Sequence, residues 1–158
     1  MNAKTVLVFS DSHGDVRDML TVCRQEQADL VVHLGDHAGD ARKLAQSISV
    51  PVHFVRGNCD FGDDAEDICE LQVFSHKLVL THGHLYHAKY SYDRLSYLAE
   101  ERGAAAVLFG HTHLPLCEYT GGAWLLNPGS ISGTGTGQKS YLKLMVGAYG
   151  VVPKLFYR

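Results

Sequence analysis

Five short runs of apolar and β-branched residues punctuate the chain up to residue 109, and each ends in a cluster of polar and glycine residues. They are Thr5–Phe9, Leu30–Leu34, Val52–Val55, Leu78–Leu80 and Ala105–Phe109. Runs apolar at consecutive rather than alternate positions predict strands covered on both faces, with helices between them. Helical spacing appears in the gaps. Val16, Met19, Leu20 and Cys23 follow Asp15 at i, i+3, i+4 and i+7, which makes Asp15 the expected N-cap. Asp40 is the expected cap of a shorter helix through Leu44 and Ile48, stopped by Pro51. Ser91 is the expected cap of a third, with Tyr92, Leu95 and Ala99 inward and Gly103 ending it. The C-terminal segment carries strand patterns without helices, at Trp124–Leu126, Tyr141–Val146 and Val151–Tyr157, with a hairpin turn over Gly147–Gly150.

The order β-α-β-α-β followed by a β meander predicts one α/β domain over residues 1–158. That length is sufficient for one contiguous core. A formal net charge of −3 gives no support to a nucleic-acid or anionic-membrane partner. No apolar run approaches the roughly 18–20 residues of a membrane span. The N-terminal run is too short, and too soon followed by charge, for a signal peptide, so the cytoplasm is the expected compartment. Cysteines 23, 59, 69 and 117 form no C-x-x-C pair, consistent with reduced thiols there. Gly133–Gly137 does not join a strand to a helix, so it reads as a flexible surface loop rather than a phosphate cradle.

The ten histidines change the picture, because five of them fall in the polar clusters. The clusters read Asp11-Ser12-His13, Gly35-Asp36, Gly57-Asn58-Cys59-Asp60, Thr81-His82-Gly83-His84 and Gly110-His111-Thr112-His113. In α/β sheets ligands bind beyond the carboxyl ends of the strands, so five such ends sharing a direction would converge on one crevice. Asp11/His13 and His111/His113 are each separated by one residue, which in extended backbone puts both side chains on one face. Asp11, His13, Asp36, Asn58, His82, His111 and His113 make seven candidate metal ligands. With one bridging carboxylate, seven groups give four protein contacts to each of two ions. Two ions about 3.5–4 Å apart suit phosphoryl chemistry. Mixed imidazole and carboxylate ligands favour manganese, iron, cobalt, nickel or zinc over calcium or magnesium.

The ordered set D-x-H, GD, GN, H-G-H and G-H-x-H, running from Asp11 to Ser130, resembles the calcineurin-like metallophosphoesterase superfamily. The segments VRGNCD, THGH, GHTH and NPGS resemble its compact single-domain phosphodiesterases from bacteria and archaea. The resemblance implies a four-layer α/β/β/α sandwich of two mixed sheets flanked by helices. It implies one metal on Asp11, His13, Asp36 and His113, and a second on Asp36, Asn58, His82 and His111, with Asp36 bridging. Two divalent transition-metal ions are implied, manganese first, with nickel, cobalt, iron and zinc as alternatives. The implied reaction is phosphodiester hydrolysis by a hydroxide held at the dinuclear centre. Larger relatives place His after the Asn; here that residue is Cys59, whose thiol starts protonated at neutral pH. Asn58, Cys59 and His84 are the candidate catalytic groups beyond metal binding, with Cys59 or His84 for proton transfer or phosphate contact.

Among the remaining residues, His33 lies in a strand off the ligand face and reads as a buried, hydrogen-bonded core residue. His37, His53, His76 and His87 read as surface or supporting residues. Arg56 reads either as a phosphate contact or as an ion-pair partner of the acidic loops. Asp63, Asp64, Glu66, Asp67 and Glu70 read as a solvated loop that disfavours polyanions, which argues against a nuclease. Asn127-Pro128-Gly129-Ser130 reads as a turn bordering the cleft. The expected partner is a small phosphodiester, with homo-oligomerisation open. The competing readings are a monoesterase or nucleotidase, and a non-catalytic scaffold like the retromer subunit that shares this fold. Competent ligands at every metal position weigh against the scaffold.

Overall fold

The structure is a computed structural model that describes residues 2–158. Strands β1 (Ala3–Phe9), β2 (Leu30–His33) and β3 (Val52–Phe54) alternate with helices α1 (Val16–Glu26) and α2 (Ala38–Ser47). Then follow β4 (Ile68–Val73), β5 (His76–Thr81), a 3₁₀ turn at His84–Tyr86, α3 (Asp93–Arg102), β6 (Ala106–Leu108), β7 (Leu116–Thr120) and β8 (Ala123–Asn127). A hairpin of β9 (Ser140–Gly147) and β10 (Gly150–Tyr157) ends the chain, Gly147 pairing with Gly150 at its turn.

These strands form two mixed five-stranded sheets, ordered β10-β9-β1-β2-β3 and β4-β5-β6-β8-β7. Within each, three adjacent strands run parallel: β1, β2 and β3 in one, β5, β6 and β8 in the other. The consecutive apolar runs are explained by what covers each face. Val6, Val8, Leu30 and Val32 pack against Leu78, Leu80, Ala106 and Leu108 between the sheets. The alternate residues Leu7, Phe9 and Val31 meet Met19, Val22 and Leu44 of α1 and α2. Val79, Val107 and Phe109 meet Leu95, Leu98 and Ala99 of α3. The layers are therefore α/β/β/α. Among the described residues no helix is long and apolar enough to cross a membrane.

The helix ends depart in part from the sequence reading. Asp15 caps α1, accepting from the Asp18 N–H, and left-handed Gly103 closes α3 by donating to Ala99 and Glu100 carbonyls. Ser91 accepts from the Asp93 N–H but stands one residue before the α3 cap position, Tyr92. Asp40 is not a cap: α2 starts at Ala38, and the buried Asp40 carboxylate instead accepts from Ser12 Oγ and Gly14 N–H. The acidic stretch is a surface loop as far as Asp67, with Asp64 and Glu66 exposed, but several of its carboxylates are paired. Glu70 sits on edge strand β4 beside Lys77 and Arg102, and Asp63 and Asp67 pair with Arg42 and Arg56. All four cysteines are free.

Candidate metal centre

The carboxyl ends of the parallel strands in both sheets meet at one edge of the sandwich. The loops there carry tight backbone: Asp11, His13, Asp36, His111 and His113 all have positive φ, between 46° and 69°. Each such residue costs on the order of 1 kcal/mol, and this kind of strain concentrates at functional sites. Five of the seven candidate ligands share it.

Asp11, His13, Asp36 and His113 each offer a ligand atom, and these atoms all lie within 4.8 Å of one another. They are the four residues that the resemblance assigns to one metal. Asp11 is fully buried; its Oδ2 accepts from Ser10 Oγ at 2.5 Å and the His111 N–H at 3.3 Å, and its Oδ1 lies 3.0 Å from His113 Nε2. Asp36 Oδ1 accepts from the Cys59 N–H at 3.0 Å, while Oδ2 faces His82 Nε2 at 3.5 Å. The His82 ring packs edge-on to His111 at 5.0 Å and lies 5.4 Å from His84. Asn58 is exposed, its amide nitrogen 3.7 Å from Cys59 Sγ, and its neighbours Gly57 and Cys59 both touch Asp36.

The donor set fits a divalent transition metal. His82 is buried, and its Nδ1 must carry hydrogen because its partner, at 2.7 Å, is the Leu34 carbonyl. In the neutral ring Nε2 is therefore the lone pair, buried without a hydrogen-bond partner and turned to the Asp36 carboxylate. A ring oriented by a carbonyl behind it, with its other nitrogen facing carboxylates, is the arrangement of a metal-ligating histidine. Burial and neighbouring positive charge push His111 down to about 4, so it is neutral and available. Burial works to raise Asp36, but the facing His82 and the Cys59 amide hold it well below the usual carboxylate range.

Two imidazoles behave oppositely. Asp11 raises His113, and Asp36 raises His82 against the effect of its burial. Both groups keep their protons to higher pH than an ordinary imidazole, and a metal must displace them. Metal affinity is therefore expected to fall as pH drops through the range where these rings are protonated. Calorimetry in buffers of different ionisation enthalpy should show proton release on metal uptake; a pH-independent affinity with no release would contradict this.

Buried polar bonds hold the loops. His33 Nδ1 accepts from Gly35 N–H (3.1 Å), so Nε2–H donates to Ser12 Oγ (2.8 Å), whose hydroxyl donates to Asp40 (2.8 Å). Burial keeps His33 near 4, hence neutral. The Asp11 carbonyl accepts from Ser130 and Ser132 hydroxyls, and Asn127 Nδ2 donates to the Gly110 carbonyl and Thr112 Oγ1. The Asn127–Ser130 turn is thus architecture beside the cleft. The glycine-rich loop is exposed but lies against the site: a Cβ at Gly135 would stand 2.9 Å from His113 Nδ1. His37 is exposed, its ring 4.7 Å from that of His13. Arg56 is engaged by Asp67 and the Asp63 carbonyl.

Asp60 is the residue that sequence reasoning left without a role. Its Oδ1 accepts from the His37 and Ala38 N–H groups at 2.7 and 2.9 Å, and its Oδ2 from Gly57 N–H at 2.8 Å. One carboxylate thereby ties the Asp36 loop to the Asn58 loop. The only signal for it was its place inside the Gly57–Asp60 cluster. Asp60→Asn must turn an amide N–H toward one of these donors. Metal affinity is expected to fall about 10- to 100-fold, the usual effect of losing a ligand's supporting partner; titration of metal-stripped protein checks this.

Cys59 and His84 lie beside Asp36 and His82. Partial burial and the Asp36 carboxylate raise the Cys59 thiol, so it stays protonated at neutral pH. His84 is half-buried and held neutral by burial and by His82, with its Nδ1 lacking a partner.

Comparison with known proteins gives the chain its family and supports its fold. The family model described as the calcineurin-like phosphoesterase superfamily domain matches residues 5–148. The probable metallophosphoesterase YsnB of Bacillus subtilis is 40% identical over 128 residues, covering 80% of this chain and 74% of that relative. The phosphodiesterase YfcE of Escherichia coli is 29% identical over 152 residues, covering 80% and 79%. The crystal structure of a predicted phosphoesterase from Streptococcus pneumoniae superposes with a TM-score of 0.76 at 29% identity, over 100% of this chain and 99% of that one.

Proposed function

The chain belongs to the calcineurin-like phosphoesterase superfamily, and from that premise we propose that it hydrolyses small phosphodiesters at a dinuclear metal centre bridged by Asp36. The observation that carries this reading is the set of two buried carboxylates and facing imidazoles, with the His82 lone pair unpartnered. Asp11, His13, Asp36 and His113 would hold one ion, and Asp36, Asn58, His82 and His111 the other. Bound there, two transition-metal ions, manganese foremost, would supply the nucleophile from water and neutralise charge in an in-line displacement.

What the chain's own groups contribute favours a diester. The cleft beside Asn58 has Arg56 in its wall, but Asp67 already engages that guanidinium. A monoester's second negative charge finds no free cation there. Similarity to YfcE, named as a phosphodiesterase, supports the same choice. Metal-stripped protein reloaded with Mn, Ni, Co, Zn or Mg tests it against matched mono- and diesters. Diester turnover restored by transition metals is expected; a faster monoester rate would overturn the reading.

Proton delivery sets the leaving-group range. Cys59 is a raised thiol and His84 a neutral imidazole, so neither is a strong acid at neutral pH. General-acid catalysis is worth about 10²–10⁴-fold. Alkyl diesters are therefore expected to react at least about 100-fold more slowly than aryl diesters, with Cys59→His narrowing the gap. Equal kcat/KM for both classes in the parent would sink this account.

A further inference from the structure

We propose that the cleft on the Asn58 side of the metal centre seats a planar aromatic, uncharged ester arm of the diester, with Phe61 as its stacking platform. This inference rests on the diesterase reading above. The cleft, about 270 Å³, has Asn58, His84, Phe61 and Leu85 in its wall, so it opens directly onto the residues at the centre. Phe61 is 92% exposed and Leu85 52% exposed. A lone exposed apolar side chain needs no explanation. Two of them in one cleft wall, adjoining candidate ligands, form an apolar surface where a substrate arm would lie.

The backbone that carries the platform is fixed. The Asp60 N–H donates to the Gly57 carbonyl and the Asp63 N–H to the Asp60 carbonyl, so Phe61 sits on a tied turn. The Asp60 carboxylate anchors that turn to Gly57 and to the start of α2. A phenyl side chain has few torsions to lose when another ring stacks on it, and such stacking tolerates varied partners. Charge narrows the class further. Asp60 and Asp67 also line the cleft, and Asp67 occupies the Arg56 guanidinium. A second phosphate would meet carboxylates without a free cation, so the arm held here carries no negative charge.

The test uses two hydrolysis-resistant anions that present the diester's PO₂⁻ group, diphenylphosphinate with rings and dimethylphosphinate without. Calorimetric titration of the manganese-loaded full chain is expected to show diphenylphosphinate binding about tenfold more tightly, within the range lost when a stacked ring is truncated to alanine. Phe61→Ala should bring the two affinities within about twofold while leaving metal content and dimethylphosphinate affinity unchanged; Phe61→Trp should keep the preference. No preference in the parent, or a full preference surviving in Phe61→Ala, would overturn the proposal. A parent that prefers the aryl probe yet hydrolyses no diester would sink the diesterase reading and leave this subsite standing.

Discussion

Asp36→Asn is expected to leave a folded protein that takes up metal poorly and has lost more than about 100-fold of its diesterase activity. The substitution is nearly isosteric, and the Asn carbonyl can still accept from the Cys59 N–H that now meets Oδ1. The other end of the amide decides the outcome. His82 keeps Nδ1–H on the Leu34 carbonyl, so its Nε2 lone pair faces Asp36 Oδ2 at 3.5 Å. An amide N–H placed there donates to that lone pair and occupies it, while the negative charge proposed to bridge the two ions disappears. One substitution thus disables two ligands. Losing a residue that merely supports a ligand costs about 10–100-fold, and loss of the bridge itself must exceed this. Thermal unfolding near that of metal-free parent, together with near-zero metal content, is the expected pair of results.

Gly57→Ala should have the second largest effect, through sterics. A Cβ at Gly57 would overlap Asp36 Oδ1 and stand 2.5 Å from the Asp36 backbone nitrogen. That nitrogen belongs to a left-handed residue, and the carboxylate is pinned by the Cys59 amide, so neither can yield cheaply. Overpacking of this kind costs about 1–3 kcal/mol. A drop in Tm of several degrees is expected, with loss of metal uptake because the Asp36 loop must retreat. Gly39→Ala is the control: in α2, nothing lies within 4 Å of a Cβ there, and stability should hold or rise slightly. Equal metal affinity in Gly57→Ala and parent would contradict the packing argument.

Much of this architecture was legible in the chain because physical periodicity exposed it. Val6 and Val8 face the other sheet while Leu7 and Phe9 face helices, so β1 had to be apolar at every position from Val6 to Phe9. The edge strands β4 and β7 were not legible. Each pairs on one side only, and charged or polar residues such as Glu70 and Glu118 break the apolar signal. Asp40 illustrates a different limit. A carboxylate just before a helical pattern satisfies backbone N–H groups, and Asp40 does so, but for the Gly14 loop across the site. Sequence shows the appetite of such a group, not which loop feeds it.

The candidate site divides in the same way. Strand-end position singled out the Asp and His residues, and the structure gathers Asp11, His13, Asp36 and His113 with His82 against Asp36. The left-handed backbone at five of these residues had little signal beyond the glycines beside His13, Asp36 and His111, because Asp and His, although enriched there among non-glycine residues, adopt it in only a minority of their positions. His33 was legible as a buried, hydrogen-bonded core residue, but its partner Ser12 was hidden, as was the hold of Asp60 on the His37 and Ala38 N–H groups, because these partners are distant in sequence.

The dinuclear centre itself is tested most directly by counting ions. Metal-stripped protein reloaded with manganese and freed of excess should retain two ions per chain, with diesterase activity rising as the second site fills. Anomalous scattering should place both against the seven named residues. Full activity at one ion per chain, or ions bound away from Asp36, would contradict the account.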